Sequence, residues 1–261
     1  MARIKLILSY DGTDYCGWQK QKKHAQASPL PSIQETTEQA LQKIFQHPIG
    51  LSASGRTDSG VHAIAQVTHF DTDRKMPKDL CWGLRSFLPA SIVPKGAFIA
   101  PDEFHSTVSA VKKTYRYWIW NHPRPTAILA RYTWWIRQPL DLEHLNNSAK
   151  YLIGKKDFES FRSMGTPVKT SVREIYQAQW TQVKEGLVQF EVTGNGFMKQ
   201  MVRNLVGTQV TLAQKGQDSQ EIERILHACD RQAAGQTAPP QGLFLKRVYY
   251  PKELDIRCRQ I

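Results

Sequence analysis

No apolar run in this chain approaches the roughly 18 consecutive residues that a membrane span requires, and Met1 to Ser9 is too short and too charged for a signal peptide. A soluble, cytoplasmic protein is expected. Cysteine is scarce: Cys16, Cys81, Cys229 and Cys258 form no Cys-x-x-Cys pair and no Cys/His cluster at zinc-ligand spacing. They read as reduced, mostly packing residues. Also missing are His-Glu-x-x-His, the phosphate-binding Gly-x-x-x-x-Gly-Lys-Ser/Thr loop, a dinucleotide Gly-x-Gly-x-x-Gly after a strand, and the Gly-x-Ser-x-Gly elbow. Metal, nucleotide and serine-nucleophile chemistries therefore lack support. Acidic residues are few relative to basic ones, 23 Asp+Glu against 35 Lys+Arg. The resulting +12 points to a polyanionic partner, because basic side chains neutralise phosphates and release condensed counterions.

What is present suffices for a folded core. The 261 residues make one large domain or two small ones, and 41% hydrophobic with 10% aromatic content is incompatible with disorder. Ile4, Leu6, Leu8 and Tyr10 alternate as a strand ending at the Asp11-Gly12 turn. Ser32 followed by Glu35 is a capping-box signature, and it opens a helix over about 32–46 after a flexible loop at 21–31. Strands are expected near 48–54 and 64–70, a helix over about 77–88, and a short strand near 96–100.

The second half reads the same way with insertions. A strand spans 111–120, followed by a helix capped by Asp141 and ended at Gly154. A hairpin through Glu185-Gly186 joins 172–183 to 187–192. Gly196 opens a helix carrying Met198, Met201, Val202, Leu205 and Val206; Asp218 caps another, and 243–250 is the last strand. Both halves thus read as βαββαβ, and the expected fold is α+β. Two ferredoxin-like halves, 1–105 and 106–261, would pack side by side with an extended antiparallel sheet and helices on one face. The opposite face would be open to a ligand, with positive charge gathered there.

The segment Gly55-Arg56-Thr57-Asp58-Ser59-Gly60-Val61-His62-Ala63 stands out as a polar loop between two β-rich runs. An Asp between an Arg and glycines keeps its charge and lets a substrate approach the backbone. The alternative is a β-turn whose Asp bonds its own backbone.

This nonapeptide closely resembles the signature of the TruA family of tRNA pseudouridine synthases. The likeness extends through Tyr10-Asp11-Gly12-Thr13, Gly17-Trp18-Gln19, Ile33-Gln34, Gln66-Val67-Thr68-His69-Phe70 and Leu88-Pro89. It continues in Phe104-His105-Ser106, Lys113-Thr114-Tyr115-Arg116-Tyr117, Asp157-Phe158, Met201-Val202-Arg203-Asn204 and Ala238-Pro239-Pro240-Gln241-Gly242-Leu243. The resemblance implies isomerisation of uridine to pseudouridine at positions 38, 39 and 40 of tRNA, in the anticodon stem-loop. No metal or organic cofactor is implied, and a homodimer with a basic cleft is. Asp58 corresponds to the essential aspartate, Tyr115 to the active-site tyrosine that stacks on a flipped uracil, and Arg203 to the arginine paired with the aspartate. Arg56 would contact a phosphate, help displace the base or merely stabilise the loop, and Leu243 would line the uracil pocket.

Read without the resemblance, Tyr115 is a core aromatic, Arg203 a solvated helix charge and Leu243 core. His62, His105, Asp11 and Asp14 read as structural, and Trp118, Trp134 and Trp135 as buried surface or a dimer contact. The sequence departs from the family pattern in a longer loop at 21–32 and in Lys156, where His is frequent. Two rivals stay open: a non-catalytic RNA-binding protein, since paired ferredoxin-like sheets also bind single strands, and a nucleoside glycosidase, which would need a second carboxylate beside Asp58.

Overall fold

A computed structural model describes residues 1–21, 30–163, 165 and 168–261; most of the loop expected at 21–31 lies outside the described residues. The chain is a mixed α/β protein built on mostly antiparallel strands. In order, its elements are β1 (Ala2–Tyr10), α1 (Ile33–Phe45), β2 (Ser52–Ala53), β3 (His62–Thr72), α2 (Leu80–Arg85), β4 (Ile92–Ala100), β5 (Lys112–Asn121) and β6 (Trp134–Ile136). They continue as α3 (Leu142–Lys150), β7 (Gly154–Asp157), β8 (Val172–Lys184), β9 (Leu187–Gly194), α4 (Met201–Gln214), α5 (Glu221–Ala228), β10 (Leu243–Tyr249), α6 (Lys252–Asp255) and β11 (Arg259–Gln260). Two compact units result, Met1–Val111 with Leu245–Ile261, and Lys112–Phe244. The last residues of the chain pack with the first unit.

In the first unit the strands run β11-β4-β1-β3-β10, with β2 on β3. Alternation in β1 buries Ile4, Leu6, Leu8 and Tyr10 as read from the sequence. Lys5 is buried too. Its ammonium lies 5.0–5.6 Å from the ring centres of Phe98, Phe104 and Tyr250 and 2.6 Å from the Asp255 carboxylate. This pair, the β11–β4 ladder and the Tyr250 hydroxyl donated to the Ser106 carbonyl at 2.7 Å fasten the C-terminal segment to the first unit. Neither α6 nor β11 was expected, because both are too short to leave a periodic signal.

Ser32 Oγ caps α1 by accepting from the Glu35 amide at 3.1 Å. The strand expected over 48–54 shrinks to Ser52–Ala53. Ile49 and Leu51 are buried, but the Leu51 amide donates to Glu38 Oε1 and its carbonyl accepts from Gln34 Nε2, both residues of α1. The alternation there records burial beside a helix, with its backbone groups satisfied by side chains in place of a ladder.

His69 in β3 is buried, with Nδ1 accepting the Ser106 amide at 3.2 Å and the His105 ring centred 4.6 Å away. Burial, then the neighbouring His105 and Arg3, push its pKa down to about 4 from 6.5. A depressed histidine pKa means the unfolded chain binds the proton first. Stability is therefore complete above pH 6.5 and declines as the pH falls from about 6.5 to 4. Melting temperatures across that range should drop, and His69→Gln should flatten the decline; an unchanged slope in the variant would assign the acid sensitivity elsewhere.

In the second unit the order is β5-β9-β8-β7, with β6 parallel to β5. The hairpin through Glu185-Gly186 forms as read, Gly186 taking φ +72°. Asp141 caps α3 by accepting from the Glu143 and His144 amides. Two expected helix starts move. Gln200 takes a left-handed φ of +57°, so α4 begins at Met201 and not at Gly196. Asp218 accepts the Gln220 amide at 2.8 Å in the turn before α5, which begins at Glu221. Helix α4 is buried almost all round, and its polar residues are satisfied. Gln209 accepts from Trp180 Nε1 at 3.0 Å, and Asn204 donates to the Phe161 carbonyl at 2.9 Å.

Candidate active site

The Asp58 loop is held by its backbone and by its neighbours. The Val61 amide donates to the Asp58 carbonyl at 3.1 Å with Gly60 at φ +75°, the pattern of a type II turn. Thr57 is buried, its carbonyl accepting the Trp18 amide at 3.0 Å and its hydroxyl lying 2.9 Å from Tyr10 Oη. Ser59 Oγ donates to the Tyr15 carbonyl at 3.0 Å. Asp58 itself is half-buried and Arg56 is exposed.

The segment 11–18 lies directly against this loop, and two glycines allow it. A Cβ at Gly12 would stand 2.1 Å from the Val61 carbonyl oxygen. One at Gly17, where φ is +104°, would stand 2.6 Å from that of Thr57. The family-like motifs Tyr10-Asp11-Gly12-Thr13 and Gly17-Trp18-Gln19 thus have a local physical task. His62 is buried, its Nδ1 accepting the Gly12 amide at 3.0 Å, and Asp11 Oδ1 accepts the Thr13 amide and hydroxyl. Both act as fasteners of the turn.

In the second unit Tyr115 is buried with its ring centre 5.1 Å from that of Phe197, edge to face. Two residues on, Tyr117 donates its hydroxyl to the Pro239 carbonyl at 2.7 Å. Burial raises the Tyr117 pKa well above 10, while the Arg203 charge opposes that rise. Arg203 on α4 is half-buried, and its Nε donates to the Ala238 carbonyl at 2.7 Å. It is therefore no freely solvated helix charge. Lys113, on the Tyr115 side of the strand, has its pKa lowered by burial.

Residues 236–242 are seated on α4 and β5 by close backbone approach. A Cβ at Gly207 would lie 1.9 Å from the Gln236 carbonyl oxygen, and one at Gly242 would lie 2.6 Å from the Tyr117 ring. Arg231, which sequence reasoning passed over, donates to the Gly235 carbonyl at 2.9 Å and to Thr237 Oγ1 at 3.0 Å. Leu243 follows, buried.

Asp58 and Arg56 belong to the first unit, and Tyr115, Arg203 and Leu243 to the second. Tyr115 and Tyr117 share one side of β5, whose register on β9 is unbroken, and the Arg203 charge acts on Tyr117. Of the tryptophans, Trp118 packs on Phe244 at 4.9 Å, Trp134 meets Tyr117 edge-on and Trp135 is exposed. Among the described residues no group of three or more His, Cys, Asp or Glu side chains is placed to hold a metal ion.

Comparison with known proteins adds a family. The one described as tRNA pseudouridine synthase matches residues 6–107 and 148–251. The tRNA pseudouridine synthase A of Bdellovibrio bacteriovorus is 54% identical over 263 residues, covering 99% of this chain and 99% of its own length. That of Pseudomonas aeruginosa is 37% identical over 262 residues, covering 100% of this chain and 90% of its own. Among solved structures, a chain of a Cbf5-Nop10-Gar1 complex aligns with 94% of this chain and 59% of its own, at 10% identity and a TM-score of 0.37.

Proposed function

The chain belongs to the tRNA pseudouridine synthase family and is an isomerase acting on tRNA, and we propose that it converts uridine to pseudouridine at positions 38, 39 and 40 of the anticodon stem-loop with Asp58 as the catalytic carboxylate. The observation that carries the role of Asp58 is the way its loop is held. Main-chain bonds close the turn, and buried contacts fix the residues before and after it, so the carboxylate is presented on a rigid support.

Isomerisation requires the uracil to leave C1′ through N1, rotate, and return through C5. An ionised carboxylate serves this either by attacking C1′ covalently or by taking the proton from C2′. A hydrolase would need a second carboxyl group to activate water, whereas an isomerase that retains its base needs none. Arg203 is the charge partner of Asp58. Tyr115 lies against the base, which a stem must extrude before C1′ is reachable. Arg56 contacts a phosphate or helps displace the base, and Leu243 lines the uracil pocket. The two βαββαβ halves, a homodimer with a basic cleft and a cytoplasmic location complete the reading, with no cofactor required. Among the described residues no helix is long and apolar enough to cross a membrane.

Release of tritium from tRNA labelled at uridine C5 tests the reaction. A synthase releases it and retains the base, a glycosidase liberates free uracil, and a binding protein does neither. Because the excess of +12 is proposed to act on backbone phosphates, log K for tRNA should fall linearly and steeply with log salt concentration. A flat plot would reject a phosphate-binding cleft.

A further inference from the structure

Beneath the Asp58 loop lies a group of buried polar side chains for which the chemistry above has no use. Gln66, in the middle of β3, is completely buried. Its Oε1 accepts from Ser54 Oγ at 2.6 Å, and its Nε2 donates to the Gly55 carbonyl at 2.8 Å and toward Tyr10 Oη at 3.4 Å. Tyr10 Oη in turn lies 2.9 Å from Thr57 Oγ1. An amide in a strand core is costly unless every polar atom finds a partner, and an apolar side chain would fill the same space without that cost. The partners here are not ladder groups. Besides Ser54 they are Gly55 and, through Tyr10, Thr57, the two residues that flank Arg56 and lead into Asp58.

We propose that Gln66 and Tyr10 are positioning residues for Asp58, their hydrogen bonds setting where the loop places its carboxylate. The proposal rests on Asp58 carrying the reaction. The far side of the loop is already pinned by the Val61–Asp58 turn bond and by Ser59 on Tyr15. The near side, Gly55 to Thr57, has its side-chain anchorage in this network. Burial pushes the Tyr10 phenol up to about 12. It thus remains a neutral hydroxyl at working pH, able to donate to Thr57 while accepting from Gln66.

Tyr10→Phe and Thr57→Val each delete one hydroxyl and keep the shape. Each is expected to slow single-turnover pseudouridine formation by up to about 10²-fold, the scale of a small misplacement of a reacting group, with the Kd for tRNA unchanged. The double variant should be no slower than Tyr10→Phe alone, because the bond that Thr57→Val breaks is already lost there. Thr57→Ser, which retains the hydroxyl, should restore the rate. Gln66→Leu should behave as Tyr10→Phe does.

Asp58→Asn is measured alongside. If it is inactive while Tyr10→Phe and Thr57→Val keep the wild-type rate, the positioning role is overturned and the role of Asp58 stands. If Asp58→Asn is active, both fall. Rate losses that merely track lowered melting temperatures, with no rescue by Thr57→Ser, would also overturn positioning and leave a structural network.

Discussion

Replacing Asp58 with Asn is expected to abolish tritium release from C5-labelled tRNA while leaving tRNA affinity within about tenfold, or 1.4 kcal/mol. The change is nearly isosteric, so its effect isolates the charge. A neutral amide neither attacks C1′ nor accepts the C2′ proton, and both proposed routes stop at their first step. The loop should keep its place, because bonds from the Asp58 and Thr57 carbonyls, the Thr57 hydroxyl and Ser59 are untouched by the change. Binding depends chiefly on contacts to many phosphates, which one uncharged substitution disturbs little. Full activity in this variant would sink the mechanism. Loss of affinity in step with activity would move Asp58 from chemistry to binding.

The second large effect is expected from Gly12→Ala. The added methyl group would stand 2.1 Å from the Val61 carbonyl oxygen and 2.8 Å from its carbon. No rotamer relieves that clash, since both partners are backbone. Separating the strands of chain costs about 3 kcal/mol, at the upper end for overpacking, or roughly 10 °C in Tm for a chain of this size. It also displaces Val61, whose amide closes the Asp58 turn, so activity should fall further than stability explains. Gly50→Ala is the control. Nothing lies within 4 Å of the Cβ it would add, and its Tm should stay near wild type. Melting curves and tritium release on the same preparations check both; an active Gly12→Ala protein with an unchanged Tm would mean that the loop does not depend on this contact.

Much of the local structure was legible because it is encoded locally. The alternation of β1, the Ser32 cap of α1 and the Asp141 cap of α3 each depend on residues within a few positions of one another. The misreadings share one cause, tertiary partners substituting for local ones. Residues 48–54 show a strand's alternation, yet α1 side chains claim the backbone of Leu51. Helix α4 starts late because Gln200 takes a left-handed conformation that no periodicity announces. That the α4 arginine acts on Tyr117, on the side of β5 that Tyr115 shares, followed only from tertiary packing. Arg231 gave no signal beyond being an arginine near a loop, and its task is visible only once residues 234–237 are seen to bond to it.

The sequence by itself determined the chemical alphabet of this protein: an aspartate in a glycine-bracketed loop, a basic excess suited to a polyanion, and an ordered set of motifs that points to one family. Those properties reside in residue identity and order, and they survive without coordinates. Only the tertiary structure decided what makes the loop rigid. Gly12 against Val61, Gly17 against Thr57, and Tyr10 and Gln66 beneath Gly55 and Thr57 are mostly contacts between segments some 40 to 50 residues apart. Their strength comes from close backbone approach and from hydrogen bonds removed from water, and both exist only after the chain has packed.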